Sequence, residues 1–252
     1  MKKTICFLMA LAMTCLLVPG AGLADALQLA QPLTGQYAYP EGSTAENAEF
    51  MFTYSYPQIE PQQETDANIN TYYSDVLEEM VNFTVPMYAQ SGDGANSDVP
   101  MYMNVNFEVT ANNDDYFSAV VTKEQFIGVS ISQTLEACTF ARKGDYAGGV
   151  VSLPAVLGIL EEDEMAATAA IDTVYELVWQ IITEQIQAGT VDYFEELTEE
   201  DLFAEFYPET DFYLDQSGNL VFFIQPSMVA SNAAGLLTFP FSPAEILGEM
   251  PQ

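Results

Sequence analysis

The chain has 252 residues, with 37 acidic side chains against 5 basic ones, no histidine and a formal net charge of −32. Charged residues make up only 17% of it, below the roughly 25% usual in soluble domains, so the imbalance comes mainly from missing lysine and arginine. A nucleic-acid partner is excluded because it needs a basic footprint to displace counterions, and histidine-dependent nucleophile systems and zinc sites are excluded with the histidine.

Residues 1–26 have the organisation of a signal peptide. Lys2 and Lys3 form its basic start, an apolar run extends from Ile5 to Val18, Pro19-Gly20 breaks it, and cleavage is expected after Ala24 or Ala26. The apolar run is shorter than the roughly 20 residues a spanning helix needs, so no membrane span is expected after signal cleavage. Cleavage after Ala26 removes Lys2, Lys3 and Asp25; 36 of the 37 acidic and 3 of the 5 basic side chains remain, a net charge of −33. Cys6 and Cys15 leave in the same step, so Cys138 is alone and no intrachain disulfide forms. With no histidine and few cations to lower its pKa, Cys138 is expected to be a small buried hydrophobe instead of a reactive or bridging thiol.

Residues 27–48 read as a polar leader. From Glu49 to Ile59, "EFMFTYSYPQI" alternates aromatic and polar residues as a half-buried strand does, and Pro57 ends it. Asp66 then stands as the N-cap of a helix in which Ile69, Tyr72, Tyr73, Val76, Leu77, Met80 and Phe83 recur at helical spacing. "SGDGANSD" (91–98) is a loop without the ligand spacing of an EF-hand. Three strands follow, "MYMNVNFEVTA", "YFSAVVTKE" and "FIGVSISQTLEACTF", joined by a turn at Asn112 to Asp115 and another near Gln125, which makes a meander. "ARKGDYAGG" is a further turn.

The longest helical pattern runs from about Glu162 to Ala188, with Ile171, Val174, Tyr175, Val178, Ile181 and Ile182 on one face, Trp179 on or near it, and Gly189 as the stop. The acids Glu161 to Glu164 suit the positive end of its dipole without a metal. Thr198 caps a short helix. "DFYL", a turn with Gly218 and "LVFFIQ" make strand, turn, strand. "SMVASNAAG" reads as a short helix ending at Gly235, "LLTFPF" as a strand, and Ser242, Pro243 and Glu245 as the capping box of a last turn. The fold class expected is α+β: an antiparallel sheet meander with a long helix packed on it, in two sequential modules.

"FTYSYPQI" followed by "NINTYYSDVLEEMV" resembles the module catalogued as domain of unknown function 4163, and the second half, above all "YLDQSGNLVFFIQPSMVASNAAGLLTFPFSPAEIL", resembles its partner module 3298. The resemblance implies an N-terminal module at 49–125 and a C-terminal module at 126–252. It further implies an extracytoplasmic protein akin to the sensor part of RsiV-type anti-sigma factors, which binds lysozyme, and to non-catalytic regions of some peptidoglycan deacetylases. The family's Gly-Gly-Ala-His signature would fall near Ile127-Gly128-Val129 and is absent, and Gln225-Pro226-Ser227 stands where the family has a Pro-Tyr pair.

The expected function is therefore an exported, non-catalytic binding or sensing module of the bacterial envelope or exterior, with a cationic protein or peptide such as lysozyme, or cell-wall glycan, as partner. Two alternatives stand beside it: a glycan-acting enzyme built on paired carboxylates, and a structural envelope protein bridged by divalent cations. No catalytic, cofactor-binding or metal-binding residue is singled out, and no cofactor is expected. Lys123, Arg142 and Lys143 are the only cations after residue 26. Trypsin is expected to cut the unfolded mature chain only after those three, which a peptide map checks.

Overall fold

The computed structural model describes residues 26–91, 100–128 and 130–248. The signal peptide, apart from Ala26, and nearly all of the 91–98 loop lie outside these residues. Among these residues ten strands form two main sheets and a short two-stranded ribbon (β1, Gln28–Leu29, with β4, Ile59–Glu60). The larger sheet has the order β2 (Leu33–Tyr39), β3 (Phe50–Tyr56), β5 (Met101–Asn112), β6 (Tyr116–Phe126), β7 (Ile131–Ala141). Strands β5 to β7 are the expected antiparallel meander. The pair β3–β5 is parallel, because the helical connection between them returns the chain to the same end of the sheet.

The leader is the first correction. Its residues 33–39 pair antiparallel with β3 along seven positions, although they carry little apolar alternation. An edge strand that keeps one face in solvent needs little, and here Gly35 leaves room for the ring of Tyr54, whose hydroxyl would lie 2.3 Å from a Cβ at that position. The second turn of the meander also moves: β6 continues through Phe126, and the reversal falls at 127–130. β6 and β7 pair along eleven positions, so the 125/126 division implied by the resemblance runs through one hairpin.

The aromatic strand β3 points Phe50, Phe52, Tyr54 and Tyr56 inward. They pack with Ile69 and Tyr73 of helix α1 (Ala67–Glu79) and with Met101, Met103 and Val105 of β5. α1 runs on through a wide turn at Met80–Thr84 into α2 (Val85–Ser91). On the far side of the chain, α3 (Leu153–Val156) leads to α4 (Glu164–Ala188), which Asp163 caps through the Ala166 N–H at 3.1 Å and Gly189 closes at φ 63°. α4 buries Ala170, Val174, Tyr175, Val178 and Ile182 against the second sheet, β10 (Leu237–Phe241), β9 (Leu220–Ile224) and β8 (Phe212–Leu214). Trp179 is half-buried against this core, as its place beside the stripe predicted. Thr198 and Ser242 cap α5 (Glu199–Glu205) and α6 (Pro243–Ile246) through the expected capping boxes. The helix expected within 227–235 is only a single 3-10 turn, Asn232–Ala234; Ala230 instead bridges to Tyr193.

The two sheets meet at β6 and β9. Phe117, Ala119 and Val121 of β6 face α1, while Val120 packs with Leu135 and with Phe223 of β9. Polar groups in this seam are paired: Ser118 and Thr139 share a hydrogen bond of 2.9 Å, and Ser118 also accepts the Leu214 N–H. The amide of Gln225 accepts the N–H of Leu135 at 3.0 Å and donates to its carbonyl at 2.6 Å.

Asp66 occupies the N-cap position of α1 but its side chain turns the other way. Its carboxylate accepts the N–H groups of Gln62 and Gln63, each at 3.1 Å, and lies 3.7 Å from the Nε of Arg142. Both residues are buried, at 1% and 6% exposure. Arg142 also donates to the Asn113 carbonyl and to Gln62, its own carbonyl accepts from Gln63 at 2.7 Å, and its N–H reaches Asp115. Gly148 seats the rest of this loop: at φ 81° a Cβ there would sit 2.5 Å from the Thr65 carbonyl. Removing one partner of a buried ion pair leaves the other charge uncompensated, at a cost of about 3–5 kcal/mol. Asp66→Ala is therefore expected to lower stability by that order in urea unfolding, while Lys143→Ala, which removes an exposed pair with Asp114 and Asp115, is expected to leave the unfolding midpoint nearly unchanged.

Candidate functional site

Two concave regions stand out among the described residues. The larger, of about 470 Å³, lies where the outer face of β5 and β6 meets the β8–β9 turn. Val109, Val120, Leu135 and Leu236 give it apolar walls, and Glu108, Thr110, Thr122, Tyr213, Asp215, Gln216 and Ser217 supply polar groups. Asp215 is held by its own turn, accepting from Ser217 N–H at 2.8 Å and from Asn219 N–H and Nδ2 at 2.9 Å. Partial burial pushes its carboxyl up, but these hydrogen bonds outweigh it and leave the pKa below the usual value. The Tyr213 hydroxyl is pushed up, first by burial and then by the charges of Glu108 and Asp215.

The smaller groove, of about 230 Å³, lies beside α5. Phe194, Leu197, Ala204 and Met228 form its floor; Glu195, Glu196, Asp201 and Glu205 stand around it. Glu196, which lines the groove, and Ser227, which precedes Met228 in sequence, both take left-handed backbone conformations at φ 66° and 68°, unusual for residues with a side chain. Phe203 and Tyr207 are exposed nearby in sequence, at 45% and 55%.

Of the acidic residues weighed from sequence, Asp201 alone lines either groove. The acids at 161–164 sit at the start of α4, with Asp163 as its cap, and Asp201 completes the capping box of α5 while its side lines the smaller groove. Among the described residues no group of three or more Asp, Glu or Cys side chains is arranged to hold a metal ion, and no helix is long and apolar enough to cross a membrane. Lys123 pairs with Glu136 across β6 and β7. Cys138 is half-buried in the α1 core, its Sγ 3.0 Å from the Tyr72 hydroxyl. Neither groove was visible in the sequence. The polar alternation of β5 and the "DQSG" turn were legible one by one, but their meeting depends on how the two sheets pack.

The class of fold is now defined: an α+β domain of the kind found in DUF3298 family proteins. A DUF3298 family protein of Pseudomonas aeruginosa PAO1 matches with a TM-score of 0.58 and 12% identity, covering 90% of this chain and 95% of that one. A DUF3298 family member from Bacteroides fragilis NCTC 9343 matches with a TM-score of 0.53 and 17% identity, over 89% and 93%. No protein-family model and no curated protein matches the sequence.

Burial pushes the Cys138 thiol up to about 11, against which its hydrogen bond with Tyr72 works. At pH 8 the thiolate fraction is thus about a hundredfold below that of an ordinary thiol. Iodoacetamide is expected to leave native Cys138 unmodified under conditions that alkylate it fully in urea. Because the unfolded thiol loses its proton near 9 and the folded one near 11, the unfolded state binds fewer protons in between. Stability then falls as pH rises through that window, which melts at pH 8 and 10 compare.

Proposed function

We propose that this chain is an exported binding or sensing module of the bacterial cell envelope or exterior, without chemistry of its own, whose partner is a cationic protein or peptide. In this reading the first half serves as a 4163-type module joined to the DUF3298-like part, as in RsiV-type sensors. The observation that carries it is the groove beside α5, where four acidic residues surround an apolar floor of Phe194, Leu197, Ala204 and Met228 and no cation lines the wall. A lysine or arginine side chain buries its aliphatic stem on such a floor while its charge meets the carboxylates. The base-depleted remainder of the surface adds long-range attraction, which raises the encounter rate with a basic partner. The basic-apolar N-terminal segment supports export.

Residues 27–252 are expected to bind lysozyme, as a basic test protein, saturably at low salt and more weakly as salt rises. The variant combining Glu195→Gln, Glu196→Gln and Glu205→Gln keeps Asp201 in the α5 capping box and is expected to weaken that binding at least about tenfold. Titration calorimetry across a salt series decides: no saturable binding at low salt, or affinity indifferent to the triple variant, sinks the proposal. Hydrolysis of a peptidoglycan or polysaccharide panel by the same protein would remove its non-catalytic part.

A further inference from the structure

Strand β2 forms one border of the larger sheet. It pairs with β3 at all seven positions without a register shift, unlike β5, which bulges by one residue at Thr110, where Val109 pairs with Ala119 and Ala111 with Ser118. Apart from that ladder and the Glu49 N–H on the Tyr39 carbonyl, the backbone groups of β2 have no partner among the described residues. A border of free N–H and C=O groups is matched by another extended chain, and folded proteins usually guard it with a lysine, a proline, a bulge or an inward charge. β2 has none of these. From Ala26 to Pro40 the sequence carries no charged side chain, and Pro32 and Pro40 both fall outside the strand.

We propose that β2 is the interface of a reversible homodimer, in which the β2 strands of two copies pair antiparallel about a two-fold axis at Gln36 and join two larger sheets into one. Two strongly acidic molecules approach at least cost along a stretch that bears no charge, and a strand without a carboxylate gives a basic chain no advantage over a second β2. The strand also complements itself. With Gln36 on the axis, the two Gln36 amides face each other, and each can donate and accept. Leu33 of one copy stands opposite Tyr39 of the other, an aliphatic and aromatic pair of the kind that stabilises paired strands. Tyr37, 39% exposed and stacked on Tyr54, stands opposite Gly35, over which the Tyr54 ring already lies; an aromatic ring beside a border glycine is favourable. The contact closes as well. On β7 both backbone groups of Leu135 are taken by Gln225, so β2 does not continue onto the β7 of a next copy, and the symmetric contact stops at two.

The test is sedimentation of residues 27–252 at ionic strengths of 0.01 M and 1 M, where the Debye length is about 30 Å and about 3 Å. The dimer is expected to grow with salt, opposite in sign to the attachment of a basic partner. Gln36→Glu sets two like charges directly opposite each other and is expected to weaken the dimer roughly fivefold without changing the melting temperature of the monomer. Directly opposed residues of antiparallel strands have Cα atoms about 4.5–5.5 Å apart, within the reach of a disulfide. Gln36→Cys is therefore expected to yield a disulfide-linked dimer on mild oxidation, and Thr53→Cys, equally exposed on the neighbouring strand, to yield none. A monomer at 1 M ionic strength, association indifferent to Gln36→Glu, or a Thr53→Cys dimer formed as readily as the Gln36→Cys one overturns the proposal. Assembly beyond two copies overturns its closure. If the protein stays monomeric and Gln36→Glu alters lysozyme binding instead, the border belongs to a basic partner and the dimer is overturned.

Discussion

The buried pair of Asp66 and Arg142 is the constraint on which the arrangement of the chain turns. Taking two charges out of water is expensive, and their attraction repays it only where the remaining donors and acceptors are satisfied. Here the carboxylate is shared with the backbone of Gln62 and Gln63, and the guanidinium with Gln62 and the Asn113 carbonyl. Satisfying those groups fixes three stretches together: the approach to α1, the turn between β5 and β6, and the end of β7. In a chain with so few cations, one is committed to the interior, while Lys123 and Lys143 make pairs closer to the surface.

The pair also decides what the rest of the molecule can present. With α1 held across one face of the larger sheet, β6 is left to receive β9 on the other, and both strands are buried on two sides. The cleft beside the β5 bulge exists because β8 and β9 cover only part of that second face. The groove beside α5 is set by a different contact, the Tyr175 hydroxyl of α4 donating to the Phe206 carbonyl at 2.7 Å just beyond α5. Two candidate surfaces of unlike chemistry, one hydroxyl-rich and one apolar with an acidic rim, thus rest on separate parts of the core.

Local signals carried much of this fold. The period of β3, the stripe of α4, and the capping boxes at Thr198 and Ser242 depend on a few neighbouring residues, and each forms where its pattern lies. The misses share a different cause. Strand β2 has weak alternation and owes its pairing to β3. Asp66 has the right residue type for an N-cap, but a distant arginine competes for its carboxylate. The Thr110 bulge leaves no mark in sequence, since a register shift is a property of two strands and not of one. Gln225 looked like a departure from a family pattern; its role in binding both backbone groups of Leu135 needs the second sheet in place.

That glutamine has a consequence for how the molecule meets copies of itself. β7 is the outer strand of the larger sheet, and an open edge of this kind is a template on which another chain can add a strand. The Gln225 amide occupies the N–H and C=O of Leu135 as a neighbouring strand would, and the Val150 bridge covers Phe140 further along. One side chain and one bridge thus interrupt the edge at two points, so no long uninterrupted run of free backbone is left for a second molecule to extend.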